Sequence, residues 1–290
     1  MQIINQIKQD ILSVNGEQIG NFDLIRAKKG VHVYKCTYKD TPAVVKYFEN
    51  DDDKREISNY RMLNKHNIPT INVFAYGKSS VIMEDISVSE EWRLGIAEDL
   101  QDTEVTASLA RWYFNFHEKG LTVPELKTLY CEYDDITEEN INMLCEKLSE
   151  GVNTFRYILS RFDKLRKLID MPSYTLTYND FYWTNFVVRK DKQAAMMFDY
   201  NLLGKGYRYS DTRNVCWFMS DEARKAYVDT YNCLYIKKYG IDRTEEDLME
   251  KQIDDVVSCL FTLIVMENPE EEKQTVSDGT LFNQAKELLG

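Results

Sequence analysis

Several things are scarce in this 290-residue chain, and each scarcity excludes something. Its three histidines, His32, His66 and His117, do not have metal-ligand spacing, which argues against a histidine-built zinc site. The six cysteines (Cys36, Cys131, Cys145, Cys216, Cys233 and Cys259) include no CxxC pair, so a zinc ribbon or dithiol redox motif is not expected. Scattered reduced thiols fit the cytosol. Long apolar runs are missing too. Val256–Met266 is the longest, is broken by Ser258 and Thr262, and is too short to span a bilayer. The start, MQIINQIKQDIL, has no basic segment followed by an apolar one, so no signal peptide is read and a cytoplasmic location is expected. Finally, positive charge is in deficit. A net charge of −12 disfavours a general nucleic-acid binder.

What is present is a normal globular balance, 43% hydrophobic and 29% charged, enough to bury a core in one large domain or two lobes. The charge is uneven. Residues 1–84 carry 12 Lys/Arg against 10 Asp/Glu, whereas residues 85–290 carry 24 against 38. The first part tolerates an anion and the second suits a cation, although acidic solubility alone would give the same count.

The pattern along the chain changes at the same place. Residues 1–20 read as an amphipathic helix ending near Gly16. Phe22–Arg26, Val31–Tyr38 and Ala43–Phe48 read as strands rich in Val, Tyr and Phe, with turns between them. Ile57, Tyr60, Met62 and Leu63 recur at helical spacing after the acidic turn Asp51–Asp53. Two further strands follow, Ile71–Tyr76 and Ser80–Met83. Beyond Glu84 the spacing predicts helices over Glu98–Lys119, Glu138–Ser149, Thr154–Ile169, 221–239, 244–266 and 279–289, with Pro269–Lys273 as a charged loop. One hairpin, Phe186–Val188 with Ala194–Phe198, interrupts the helical half. The expected class is therefore α+β: a small β-rich lobe with one helix, residues 1–84, and a larger helical lobe, residues 85–290.

Asp180 and Asn185 stand just before that hairpin and Asp199 just after it, so the three can converge. An Asp, an Asn and an Asp offer oxygen ligands of modest charge, a set suited to Mg²⁺ completed by water and phosphate. One of the carboxylates could take a proton from an attacking hydroxyl. Phosphoryl transfer also needs a cation on the nucleotide phosphates and a carboxylate to orient it. AVVKYF supplies Lys46 within a strand and REISNY supplies Glu56 on the next helix, the order of the kinase scheme. VIMEDIS, 81–87, leaves the small sheet where a hinge would meet a nucleotide base.

Over roughly Phe22 to Asp211 the chain resembles the aminoglycoside phosphotransferase and choline kinase superfamily, small-molecule relatives of the protein kinases. NDFYWTNFVV resembles the catalytic loop, FDYNLLG the metal-binding Asp segment, IPTINVFAYGKSSVIMEDIS the strand pair leading to the hinge, and ASLARWYFNFHEKG the central helix. The resemblance implies a bilobal protein-kinase-like fold and an enzyme that uses ATP (or GTP) and Mg²⁺. It implies Asp180 as catalytic base, Asn185 and Asp199 as metal ligands, and Lys46 on the phosphates paired with Glu56. Backbone groups near Glu84 and Ile86 would meet the base, and Asp211 would brace the loop. Two positions depart from the family pattern. Tyr178-Asn179 replaces the usual His-Gly, and RAKKGVHVYK has only Gly30 where a glycine-rich loop is usual. The expected activity is phosphorylation of a small, cationic, aminoglycoside-like acceptor. The alternatives are a choline- or ethanolamine-type kinase, or a kinase-fold protein without turnover. The expected partners are the nucleotide and that acceptor, with no nucleic acid and no membrane; the sequence leaves the oligomeric state open. Two further features stand out. The aromatic group Tyr178, Phe181, Tyr182 and Trp183 reads as packing ahead of a cation–π wall. The acidic stretch Glu132–Glu150 falls where the family builds its acceptor site, though a solvated helix face would look the same.

Overall fold

The structure, a computed structural model, describes residues 2–290. Helix α1 (Gln2–Asn15) buries Ile7 and Ile11, four residues apart on one face, and stops at Gly16, whose φ of +68° suits glycine. Strands β1 (Ile19–Lys28), β2 (Val31–Tyr38), β3 (Thr41–Phe48), β4 (Val73–Tyr76) and β5 (Ser80–Glu84) form one antiparallel sheet in the order β1-β2-β3-β5-β4. β1 extends beyond the expected Phe22–Arg26 at both ends, and β4 starts two residues after Ile71. Helix α2 (Arg55–Lys65) connects β3 to β4.

Strand alternation decides which side chains reach the site. Ala43, Val45 and Tyr47 of β3 pack with Ile7 and Ile11 under α1. Their neighbours Val44 and Lys46 therefore emerge on the opposite face, where they line a cleft. Asp10 fastens α1 to the β4–β5 turn. It accepts from the Lys78 N–H at 2.8 Å, the Ser79 N–H at 3.0 Å and the Ser80 hydroxyl at 2.6 Å.

The remainder is mostly helical: α3 (Thr103–Gly120), α4 (Glu138–Lys147), α5 (Val152–Leu159), α6 (Phe162–Ile169), α7 (Arg208–Cys216), α8 (Asp221–Tyr239), α9 (Thr244–Val265), α10 (Glu270–Ser277) and α11 (Thr280–Leu289). Strand β6 (Trp92–Leu94) pairs with β8 (Phe186–Arg189), which pairs with β9 (Ala195–Met197). Strand β7 (Thr175–Thr177) pairs with β10 (Gly204–Gly206). The expected hairpin is thus the β8–β9 pair.

Three sequence expectations need correction, and three short strands were not anticipated. The helix expected from Glu98 begins at Thr103, because Asp102 accepts from the Glu104 and Val105 N–H groups and caps it there. Thr154–Ile169 is two helices, broken at Ser160 and Arg161. Glu270–Lys273 is not a loop but the opening of α10, with Glu270, Glu271 and Glu272 where a helix N-terminus favours negative charge. The short strands β6, β7 and β10 carry too few residues for a readable alternation.

An apolar cluster runs from Phe48, Tyr60 and Met83 through Tyr113 and Phe116 of α3 to Met197 and Tyr227, tying the sheet to the helical half. A second cluster fills the space between α4, α5, α6, α9 and α11. No described helix is long and apolar enough to cross a membrane.

Candidate active site

The cleft between the sheet and the helical half measures about 330 Å³ and brings Lys46, Glu56 and Asp199 together. The Lys46 ammonium donates to Glu56 Oε2 at 2.6 Å and to Asp199 Oδ1 at 2.7 Å. Burial pulls the Lys46 pKa down, but Glu56 and Asp199 outweigh it and raise it to about 12. Glu56 behaves differently. It is fully buried, shares its one cation with another carboxylate, and leaves Oε1 without a hydrogen bond. Burial dominates there and pushes its carboxyl up to about 7 despite Lys46.

The hinge residues Glu84 and Ile86 line the same cleft. The Glu84 carboxylate is occupied by Asn72, which donates its backbone N–H at 2.8 Å and its amide at 3.1 Å. Only backbone groups of Glu84 are therefore left for a ligand. Asp85 caps the 3₁₀ turn Ile86–Val88 by accepting from the Ser87 N–H at 2.9 Å, and the Ile86 N–H finds no acceptor among the described residues. The Lys35 ammonium crosses from β2 to the Ser87 hydroxyl at 2.6 Å.

Opposite lies the loop between β7 and β8. Its geometry is set from beneath. Asp211 accepts from the Tyr178 N–H at 3.0 Å and the Asn179 N–H at 3.3 Å. His117 Nε2 lies 3.1 Å from Asp211, and its Nδ1 lies 2.7 Å from the Tyr231 hydroxyl. Burial lowers the His117 pKa against the pull of Asp211, so the ring is a neutral core histidine. Tyr178, in the place of the family's histidine, donates its hydroxyl to the carbonyls of Phe198 at 2.5 Å and Asp199 at 2.8 Å. That bond ties the loop before the hairpin to the segment after it. Asn179 and Asp199 both have φ of +64°, the left-handed region that short polar side chains tolerate best.

Asp180 carries the electrostatic signature of the site. Burial first, then the nearby Asp199 charge, raise its pKa to about 6, against the opposing effect of Lys46. Asn185 donates its amide N–H to the Asp180 carbonyl at 3.1 Å, which fixes the amide, and its Oδ1 accepts from the exposed Thr184 hydroxyl at 3.2 Å and keeps a lone pair for a further partner. Asp199 gives Oδ1 to Lys46. Its second oxygen takes no bond from the described residues. One carboxylate oxygen and one amide oxygen are a donor set that fits Mg²⁺, which needs few protein ligands. Among the described residues no group of three His, Cys, Asp or Glu side chains gathers as a complete metal site, so any ion here needs oxygens from a ligand or water.

Asp180 lines a second cavity, of about 400 Å³, whose wall does not include Lys46. Trp217 and Phe218, just past α7, stand in its wall. So does Glu132, the one member of the acidic Glu132–Glu150 stretch to do so. Of the loop aromatics, Tyr178 and Phe181 are buried in the main cluster, as the packing reading expects. The residues that sequence reasoning missed are Arg213, Asn214 and Trp217. They sit in RYSDTRNVCW directly after the expected brace Asp211, and three- and four-residue helical spacing from Ser210 was the available signal.

The arrangement of sheet, hinge, central helix and hairpin is the bilobal protein-kinase-like fold of the small-molecule phosphotransferases. Solved structures bear this out over nearly the whole chain. A choline kinase, LicA from Streptococcus pneumoniae, superposes with a TM-score of 0.59 at 13% identity, covering 99% of both chains. A choline kinase from Cryptosporidium parvum gives 0.59 at 15%, covering 99% of this chain and 95% of that one. Spectinomycin phosphotransferase, solved with ADP and spectinomycin, gives 0.54 at 12%, covering 98% of each. No family model matches the sequence. No curated protein matches it either.

Proposed function

We propose that the protein is an ATP-dependent kinase that moves the γ-phosphate to a hydroxyl of a small amine-bearing molecule. The observation that carries this reading is the position of Asp180. It lines a second cavity able to take an acceptor, and it is close enough to feel the charges of Lys46 and Asp199 in the cleft. The structures of like fold include a choline kinase, an ethanolamine kinase and a spectinomycin phosphotransferase, which supports a small-molecule acceptor.

On this reading residues 1–84 form the nucleotide lobe and 85–290 the lobe that holds the catalytic loop and acceptor. The base lies against backbone groups of Glu84 and Ile86. Lys46, held by Glu56, exchanges its contact with Asp199 for the nucleotide phosphates, and this releases Asp199. Asn185 and the freed Asp199 hold Mg²⁺, which when bound neutralises charge on the transferring phosphate. Asp180 orients the acceptor hydroxyl and receives its proton as the oxygen bonds to phosphorus and the bond to ADP breaks. With its pKa near 6, Asp180 is ionised at neutral pH yet remains more basic than an ordinary Asp.

The test is nucleotide-dependent phosphorylation of a panel of amino alcohols and aminoglycosides, followed with γ-labelled ATP. Label in at least one amine is expected. Labelled inorganic phosphate alone across the panel, from protein shown to bind ATP, would count against an amine acceptor.

A further inference from the structure

The second cavity brings charges of both signs together. Glu132 precedes α4 in a 3₁₀ turn, and Arg213 comes from α7; both line the cavity beside Asp180. Neither is satisfied. The Glu132 carboxylate makes no hydrogen bond among the described residues; burial pushes its pKa up to about 7 against the pull of Arg213, with the nearby acids adding to the rise. Arg213 turns its Nε edge to the buried Asp254, 3.1 Å away, and its two terminal nitrogens donate to nothing among the described residues. No ion pair joins Glu132 to Arg213, although they share one cavity. Arg213 is 30% exposed and Glu132 is partly exposed, so both present hydrated charge to the cavity, where a ligand can reach it.

Asp254 settles the orientation of the arginine. It is almost completely inaccessible and comes from the middle of α9, so it draws the Nε edge of the guanidinium inward by charge, without a hydrogen bond between the two atoms, and leaves the terminal nitrogens to the cavity. A guanidinium edge with two parallel N–H donors matches a carboxylate better than any other small group. Glu132 is one of four carboxylates in the cavity wall, with Asp180, Glu271 and Glu272, and an acidic wall matches an ammonium. The walls between them, Trp217 and Phe261, are aromatic and suit a short carbon skeleton.

We propose that Glu132 and Arg213 are the specificity-determining pair of the acceptor site, and that the acceptor is zwitterionic: a hydroxylated amino acid. Its carboxylate lies on Arg213, its ammonium on Glu132, and its side-chain hydroxyl faces Asp180. This narrows the amine acceptor proposed above and rests on that reading. In the transfer step the hydroxyl oxygen bonds to the γ-phosphorus, the bond from phosphorus to the bridging oxygen of ADP breaks, and the hydroxyl proton passes to Asp180. The two charged contacts hold the molecule and take no part in the bonding change.

The test compares matched acceptors in the same protein, so that the fraction of folded enzyme cancels. With ATP and Mg²⁺, kcat/KM is measured for serine and homoserine, for their decarboxylated counterparts ethanolamine and 3-aminopropanol, and for 4-hydroxybutyrate, which is homoserine without the amine. For at least one of the amino acids, wild type is expected to exceed the matching analogue by on the order of 100-fold, the loss of one charge-assisted contact. Arg213→Met should collapse the ratio of amino acid to amino alcohol towards one. Glu132→Gln should collapse the ratio of amino acid to hydroxy acid. The second variant keeps the size of the side chain and leaves the Arg213–Asp254 pair intact, so it covers the case in which Arg213→Met does not fold. Equal efficiency for amino acids and amino alcohols, or transfer to no compound in the panel while ATP still raises the melting temperature, overturns this inference and leaves the nucleotide site standing. If ATP also fails to bind, the kinase reading falls with it.

Discussion

At the residue scale, Asp180 shows how one environment serves chemistry and costs stability. Its carboxyl titrates near 3.8 in an unfolded chain and near 6 in the folded one. Below the lower value both states are protonated and the residue is neutral to stability. Between the two the unfolded chain has lost its proton and the folded protein has not, so stability falls as pH rises from about 3.8 to 6, and the deficit persists above. A shift of this size corresponds to about 3 kcal/mol, and solvent reaching the partly exposed carboxylate reduces it to about 1 kcal/mol. Asp180→Asn should therefore unfold about 1 kcal/mol less readily at pH 7.5 and show no gain at pH 3.5, as read by urea denaturation. The same titration should appear in function: kcat/KM should fall on the acid side with an apparent pKa near 6. A pH-independent rate between 5 and 8 would remove Asp180 from the proton transfer. Lys46 makes a separate prediction. Lys46→Ala leaves Glu56 buried without its cation, so the free protein should lose stability on the order of 3 kcal/mol. The rise in melting temperature that ATP and Mg²⁺ give the wild type should shrink sharply. An undiminished rise would place the nucleotide elsewhere.

At the element scale, the loop before the hairpin is held by α7 and α3 rather than by its own sequence. Asp211, His117 and Tyr231 form a buried chain of hydrogen bonds that ends on the Tyr178 and Asn179 N–H groups. Asp211→Ala strips two buried donors of their acceptor and should cost about 3 kcal/mol in chemical denaturation. It should also lower kcat more than it changes ATP affinity, because it moves Asp180 and not Lys46. The same elements show what was legible in the sequence. Lys46, Glu56, Asp180, Asn185 and Asp199 could be read because strand alternation and hairpin ends place such residues by local rules. The short strands β6, β7 and β10 could not, since three residues carry no period and their pairing is decided by partners far along the chain. The break between α5 and α6 falls at Ser160–Arg161 without a Gly or Pro to announce it. Arg213 and Glu132 were hidden for another reason. They lie some eighty residues apart in sequence, and nothing but the tertiary fold places them in one cavity.

At the scale of the whole molecule, the fold sets a cation-bearing cleft near a mixed-charge cavity, and Asp180, in the wall of the second, feels the charges of the first. The uneven charge of the two parts of the chain now has a local meaning. The N-terminal sheet carries Lys46 to the place where phosphates would bind, and the acidic helical part contributes Glu132, Glu271 and Glu272 around the second cavity. Trp217, 69% exposed at the rim of that cavity, is the large aromatic left most open by the fold. Trp217→Ala should raise KM for the acceptor several-fold and leave KM for ATP unchanged, as measured by steady-state kinetics with each substrate varied.

The central claim is that Asp180 activates an acceptor hydroxyl towards a phosphate held by Lys46 and the hairpin. The most direct measurement is a single turnover of γ-labelled ATP with excess enzyme and saturating acceptor, in wild type and Asp180→Asn, with ATP binding titrated on both. The account expects label to reach the acceptor in wild type, a rate at least 100-fold lower in Asp180→Asn, and the same ATP affinity in the two proteins. Equal transfer rates, or ATP affinity lost together with Asp180, would contradict it.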